Sequence, residues 1–103
     1  MFDVNEYFDG KVKSLAFKAG NDKATIGVMA AGDYEFGTSC IEHMTLISGE
    51  MQVKLPDEND WRDIALNETF IVAANSSFLV KIGCDTASMC VYKYATLINL
   101  AVY

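Results

Sequence analysis

Histidine and proline each occur once in 103 residues, and Arg62 is the sole arginine. With His43 as the only imidazole, a cluster of histidine metal ligands is excluded, since metal sites in usual geometries take at least three protein ligands. Cysteine is sparse and odd in number: Cys40, Cys84 and Cys90, with no Cys-x-x-Cys spacing. That pattern argues against a disulfide framework and against structural zinc, and fits reduced thiols in the cytoplasm. Cations are outnumbered, 8 Lys and Arg against 14 Asp and Glu, for a formal charge of -6. Such a surface repels polyanions, which excludes nucleic acid and anionic membrane as partners. No apolar run approaches the roughly 20 residues that cross a bilayer. The opening Met1-Phe2-Asp3-Val4-Asn5-Glu6 also lacks the basic and apolar regions of a secretion signal.

What is present is apolar and alternating. Hydrophobic residues make up 51%, so disorder is not expected, and the length fits one domain over residues 1–103. The hydrophobic period is mostly two. Lys11 to Phe17 alternates, and Ala24 to Ala31 is a near-continuous apolar run between Asn21-Asp22 and Gly32-Asp33. Met44 to Ile47 and Met51 to Leu55 flank Ser48-Gly49-Glu50 as two arms of a hairpin. Pro56 to Asp60 is the clearest loop; Trp61 to Leu66, Thr69 to Ala73, Phe78 to Ile82 and Ala87 to Tyr94 complete the strand series. Short strands at such regular spacing predict an all-β sandwich or barrel. The apolar tail of residues 95–103 is expected to be buried, as an added edge strand or against a second subunit.

The segment Gly32 to Glu50 holds Glu42 and Gly49 in the spacing Glu-x6-Gly, which resembles the first motif of the cupin barrels. The two histidines that precede the glutamate in that motif are absent; Glu35, Phe36, Gly37 and Thr38 occupy this stretch. The opening Asn5-Glu6-Tyr7-Phe8-Asp9-Gly10-Lys11-Val12, the run Thr25-Ile26-Gly27-Val28-Met29, the hairpin Met44-Thr45-Leu46-Ile47-Ser48-Gly49, Leu55-Pro56 and Trp61 resemble a narrower group. These are the small single-domain cupins described as pyrimidine/purine nucleoside phosphorylases, and the likeness spans about residues 2–92. Two departures stand out: the family's usual Pro-Gly-His turn is Ala73-Ala74-Asn75 here, and its Cys-Arg-Tyr is Cys90-Val91-Tyr92.

The resemblance implies an all-β, single-domain cupin-like jelly-roll barrel. It implies an enzyme that splits purine and pyrimidine nucleosides with phosphate into free base and pentose 1-phosphate. Phosphate is then a co-substrate, with no cofactor and no metal, and the chain works as a homodimer paired through edge strands. Such chemistry needs donors for the phosphate, stabilisation of an oxocarbenium-like sugar and a proton or hydrogen bond for the departing base. Glu42 is the leading catalytic candidate, as acid to the base or acceptor of a sugar hydroxyl. If it points into the barrel, Met44 and Leu46 share its side and His43 faces outward. Tyr34 and Thr38 stand near the missing histidines and are candidates for stacking on a base and binding a hydroxyl. Arg62 is a candidate phosphate ligand, with an ion pair to Asp60 or Asp63 as the simpler alternative. Asn75 and Ser76 offer a turn that can hold an anion. Tyr7, Phe8, Trp61, Phe70, Phe78 and Tyr92 are expected to pack in the core or an interface. The alternative function is a non-catalytic cupin that binds a small metabolite.

Overall fold

The computed structural model describes residues 1–94; the expectations for the tail at 95–103 lie outside the described residues. Ten strands follow one another in the order β1 (Val4–Tyr7), β2 (Val12–Ala19), β3 (Asp22–Met29), β4 (Gly32–Gly37), β5 (Ile41–Ser48), β6 (Met51–Lys54), β7 (Arg62–Ile64), β8 (Thr69–Val72), β9 (Ser77–Ile82) and β10 (Thr86–Lys93). They form a six-stranded sheet, β1-β2-β3-β10-β5-β8, and a four-stranded sheet, β4-β9-β6-β7. Every recorded strand pair is antiparallel. The all-β architecture expected from the period-two pattern is therefore what the chain forms. Two differences are local. Val4–Tyr7 is a strand as well, paired with β2 from Val4↔Leu15 to Tyr7↔Val12. The run expected at 61–66 shortens to Arg62–Ile64, which pairs with Met51 to Val53 of β6.

The sheets are held face to face by side chains of inward parity. Leu46 and Val72 of the six-stranded sheet meet Val53, Phe78 and Val80 of the four-stranded sheet, all essentially sealed from solvent. Each such side chain contributes about 1.5–3 kcal/mol by leaving water. Two turns join where backbone meets backbone. Gly49 has φ 102, and a Cβ there would stand 2.7 Å from Thr86 Cα and 2.8 Å from Asp85 O. Only glycine fits that position. Thr86 Oγ1 accepts from Glu50 N (3.1 Å) and donates to Cys84 O (2.8 Å), which ties the β5–β6 turn to the β9–β10 turn.

The topology places the last described strand, β10, in the middle of the large sheet, between β3 and β5. Its inner residues are therefore flanked on both sides by those of β3 and β5, and this brings the polar groups together.

Candidate functional site

A half-open cavity of about 430 Å³ lies between the sheets, within the roughly 300–1,000 Å³ range of small-molecule sites. Its lining divides into two walls. The six-stranded sheet supplies a polar one. Met44 and Leu46 of β5 are buried in the core, so alternation aims Glu42 inward at the same face, and it lines the cavity. Across the ladder, Tyr92 is the direct partner of Glu42, and Cys90 of Met44. On the other side of β10, Thr25 pairs with Cys90 and Gly27 with Ser88. Partners in an antiparallel ladder point to one face, so these residues converge. Cys90 donates its S–H to Glu42 Oε1 at 3.4 Å, and the hydroxyls of Thr25 and Tyr92 are 3.2 Å apart. Gly27 leaves the floor between Ser14 and Ser88 free of a side chain.

The opposing wall is aromatic. Phe36 lies 5.8 Å from Phe78 and 5.6 Å, edge-on, from Phe8, centroid to centroid. The exposed lining residues Tyr7, Phe8, Glu35, Gly37 and Ser39 mark where the cavity meets solvent.

Burial sets the electrostatics of the polar wall. Loss of water pushes the Glu42 carboxyl above its usual range, and the Cys90 hydrogen bond offsets part of that rise. The Cys90 thiol is pushed up by burial first and by the neighbouring Glu42 charge second. The Tyr92 hydroxyl is also raised, chiefly by burial. The site thus favours the protonated form of each. Among the described residues the lining holds no Lys, Arg, His, Asn or Gln. Two cations sit just beyond it. Lys18 pairs with Lys23 on β2 and β3, and Lys23 pairs with Tyr92, so the register runs Lys18, Lys23, Tyr92, Glu42 along one end of the sheet. Both lysines are exposed, and the ion pairs among the described residues, Lys13–Glu6 and Lys93–Asp22, involve neither.

Of the catalytic and ligand-binding candidates named from the sequence, the cavity collects Glu42 and leaves Tyr34, Thr38, Arg62, Asn75 and Ser76 outside. Tyr34 is buried and donates its hydroxyl to Ala30 O at 2.6 Å; that bond and its packing beside Phe8 keep it off the lining. Thr38 and Ser76 bind one another instead of a ligand. Ser76 N donates to Thr38 Oγ1 (3.1 Å), Thr38 N to Ser76 O (2.8 Å), and both hydroxyls reach Ala73 O at 2.7 Å. This clamp fastens the 73–76 turn to the end of β4. Asn75 is the exposed corner of that turn, at φ 55, a left-handed position that asparagine tolerates. Arg62 lies on β7 of the other sheet, is exposed and joins neither the cavity nor an ion pair among the described residues. Asp63 accepts from Gln52 Nε2 instead (2.6 Å). Trp61 lies under Lys81, 4.2 Å from its Nζ. His43 stands on the outward face, between Val91 and Ile71 in the ladder. Val91 shares that face, so a side chain there points away from the cavity. Tyr7, Phe8, Phe78 and Tyr92, expected as packing, all line the cavity. Among the described residues no three of His, Cys, Asp and Glu gather as a metal site, and no helix is long and apolar enough to cross a membrane.

Comparison with known proteins shows the family and the fold. The sequence profile of the family described as pyrimidine/purine nucleoside phosphorylase matches residues 2–92. A protein of that name from Pseudomonas syringae pv. syringae (strain B728a) is 58% identical over 93 residues, 90% of this chain and all of the relative. A crystal structure of a protein of unknown function from Vibrio parahaemolyticus superposes with a TM-score of 0.86 at 40% identity, over 90% of this chain and 99% of that one. A cupin superfamily protein from Desulfitobacterium hafniense DCB-2 matches with a TM-score of 0.66 at 13% identity, covering 85% of this chain and 82% of its own. This last likeness shows the shared cupin barrel.

Proposed function

Since the chain belongs to the pyrimidine/purine nucleoside phosphorylase family, we propose that it is itself such an enzyme, splitting purine and pyrimidine nucleosides with inorganic phosphate in the cavity between its sheets. The observation that carries the reading is the Glu42 carboxyl, half-buried beside Cys90 and Tyr92 and biased by burial toward its protonated form. A carboxylic acid poised in that way is suited to general-acid work. The glycosidic C–N bond breaks with its electron pair going to the base. Glu42 gives the base its proton, and a phosphate oxygen makes the new bond to the anomeric carbon. Glu42 then recovers a proton from the phosphate or from water. The aromatic wall of Phe8 and Phe36 takes the flat face of the base. No amide or guanidinium lines the cavity among the described residues, so a two-point side-chain contact of that kind to one base edge is lacking there, which suits a broad purine and pyrimidine range.

The hydroxyls of Thr25, Ser88 and Tyr92 hold the sugar and phosphate, and Lys18 and Lys23 draw the anion toward the Tyr92 end. The reaction so drawn uses no metal and no cofactor. The enzyme acts in the cytoplasm, a reading supported by its three free cysteines, and as a homodimer.

Purified protein incubated with uridine, inosine or adenosine is expected to release free base only when phosphate is present, with one pentose 1-phosphate formed per base. No release across a nucleoside panel would overturn the reading and leave a cavity that binds a metabolite without turning it over.

A further inference from the structure

A carboxylic acid has two oxygens, and one of them carries the proton that the departing base receives. Which one that is depends on what holds the other. Glu42 and Cys90 are diagonal neighbours on the inner face, since Tyr92 is the direct partner of Glu42 and Cys90 that of Met44. Diagonal neighbours stand about 7–8 Å apart, so a long side chain must lie along the sheet to close the gap. Glu42 does so: its Oε1 meets the Cys90 thiol at 3.4 Å. The Tyr92 hydroxyl, directly across the ladder, meets Thr25 at 3.2 Å instead. Among the described residues Cys90 is the carboxyl's one hydrogen-bond partner, and no side-chain oxygen there is both buried and unpartnered. Oε2 therefore opens onto the cavity that Glu42 lines.

We propose that Cys90 is a positioning residue for phosphorolysis: its S–H holds Oε1 and so keeps the transferable proton on Oε2, turned toward the base. The assignment rests on the phosphorylase reading of the cavity. In a neutral acid the carbonyl oxygen is the better acceptor, and sulfur accepts only weakly, so S–H donation to Oε1 leaves the acid proton on Oε2. As the C–N electron pair passes to the base, that proton leaves Oε2 for the base, and the O–H electron pair stays on the carboxylate. Charge then spreads to Oε1, where the thiol already donates. A hydrogen bond to an ionised group is roughly twice as strong as one to a neutral group. The contact tightens as the proton moves, which is when a contact can speed the step.

A thiol suits this place better than a stronger donor. An ammonium, guanidinium or amide N–H against Oε1 would favour the carboxylate and strip Glu42 of its proton at neutral pH. S–H donates weakly, so it aims the group and leaves burial in control of its charge. Burial also keeps the thiol itself as S–H, which makes it a donor and no nucleophile. The groups around the pair do not compete. β8 offers Val72 as the partner of Glu42, and His43 of β5 faces outward. Cys40, ahead of β5, is buried. Tyr92 is raised chiefly by burial and Tyr94, just past β10, chiefly by Cys40, so both stay uncharged. Lys23 of β3 is exposed beside Tyr92, and Glu35 of β4 is exposed at the mouth.

In Cys90→Ala, burial acts on Glu42 without the bond that offsets it. The alkaline limb of kcat should move to higher pH, and kcat on the acid plateau should fall about 10-fold or more, with KM for nucleoside unchanged. Cys90→Ser keeps a donor and strengthens it, so it should regain most of that kcat and bring the limb to the parent's pH or below. A pure packing role predicts lost stability in both variants with the limb unmoved, and that result would overturn the proposal. Carbon NMR of the Glu42 carboxyl, assigned with Glu42→Gln, should show the same two shifts in protein without substrate. An inactive parent in which these shifts appear would overturn the phosphorylase reading and support the hold of Cys90 on Glu42; an active parent in which they do not would overturn that hold alone. If the variants fail to fold, infrared spectra of the unmodified chain decide. Its S–H stretch should move to lower frequency as rising pH turns Glu42 into a carboxylate, and stay put in Glu42→Gln. A band that stays put in both would show no bond between the two groups and would sink the idea.

Discussion

The two walls of the cavity differ as a working surface differs from its support. The six-stranded sheet turns Glu42, Cys90, Tyr92 and Thr25 inward, each with an ionisable or hydroxyl group at least partly withdrawn from water. The four-stranded sheet answers with Phe36, Phe78 and Val80. Polar groups gathered on one side alone leave that side costly to bury, and the apolar side supplies the contacts that hold it closed. Catalysis and stability should then separate by sheet.

The largest effect expected falls on the support. Phe78→Ala removes a ring packed against Phe36 and Phe70 and should cost about 3–5 kcal/mol in urea unfolding; a cost below about 1 kcal/mol would mean that this wall is not what holds the cavity. Next is Glu42→Gln, which should lower kcat by about 100- to 1,000-fold with the fold intact, as read by chromatography of the released base. A loss under threefold would remove Glu42 from the acid role.

The same residue links the walls to pH. Only protonated Glu42 can donate, so kcat should fall as pH rises through its raised pKa. Stability follows the same sign: a carboxyl raised by folding favours the folded state most at pH below its ordinary value, and that contribution is lost as pH climbs. Glu42→Gln should therefore melt higher than the parent at pH 8 and alike at pH 4; a lower melting temperature at pH 8 would contradict desolvation as the dominant cause.

Smaller again is the double change Lys18→Gln with Lys23→Gln. It should raise KM for phosphate by about 3- to 10-fold, in keeping with exposed charges that steer more than they bind, while kcat stays put. The smallest is Thr38→Ala. Loss of its bonds to Ser76 and Ala73 should cost about 1 kcal/mol with KM for nucleoside unchanged. A KM effect without loss of stability would return Thr38 to the ligand site.

Glu42 was readable because alternation needs only its own strand: Met44 and Leu46 are apolar and buried, so their neighbour at the same parity turns inward. Strand positions were legible for the same reason. Tyr92, Cys90 and Thr25 were not. Thr25 and Tyr92 are 67 positions apart, Glu42 and Cys90 48, and the register that joins them comes from β10 entering between β3 and β5. A pattern of period two tells which face a side chain takes and nothing of who stands beside it across the ladder. Tyr34 and Thr38 misled in another way. Their chemistry suits a ligand, but nearby backbone carbonyls had already claimed it. Arg62 was drawn in by charge alone and belongs to the far sheet. The departure at Val91 loses its bearing on the cavity, since that side chain points outward.

The place of β10 between β3 and β5 also bears on how the protein is made. The strand that completes the polar wall, β10, follows all the other described strands in the chain and so leaves the ribosome after them. Until it arrives, β3 and β5 have no partner between them and present open edges that can pair with other chains. The nascent protein therefore has to wait, half-assembled, for β10, and the site comes into being in the same event that closes these two edges.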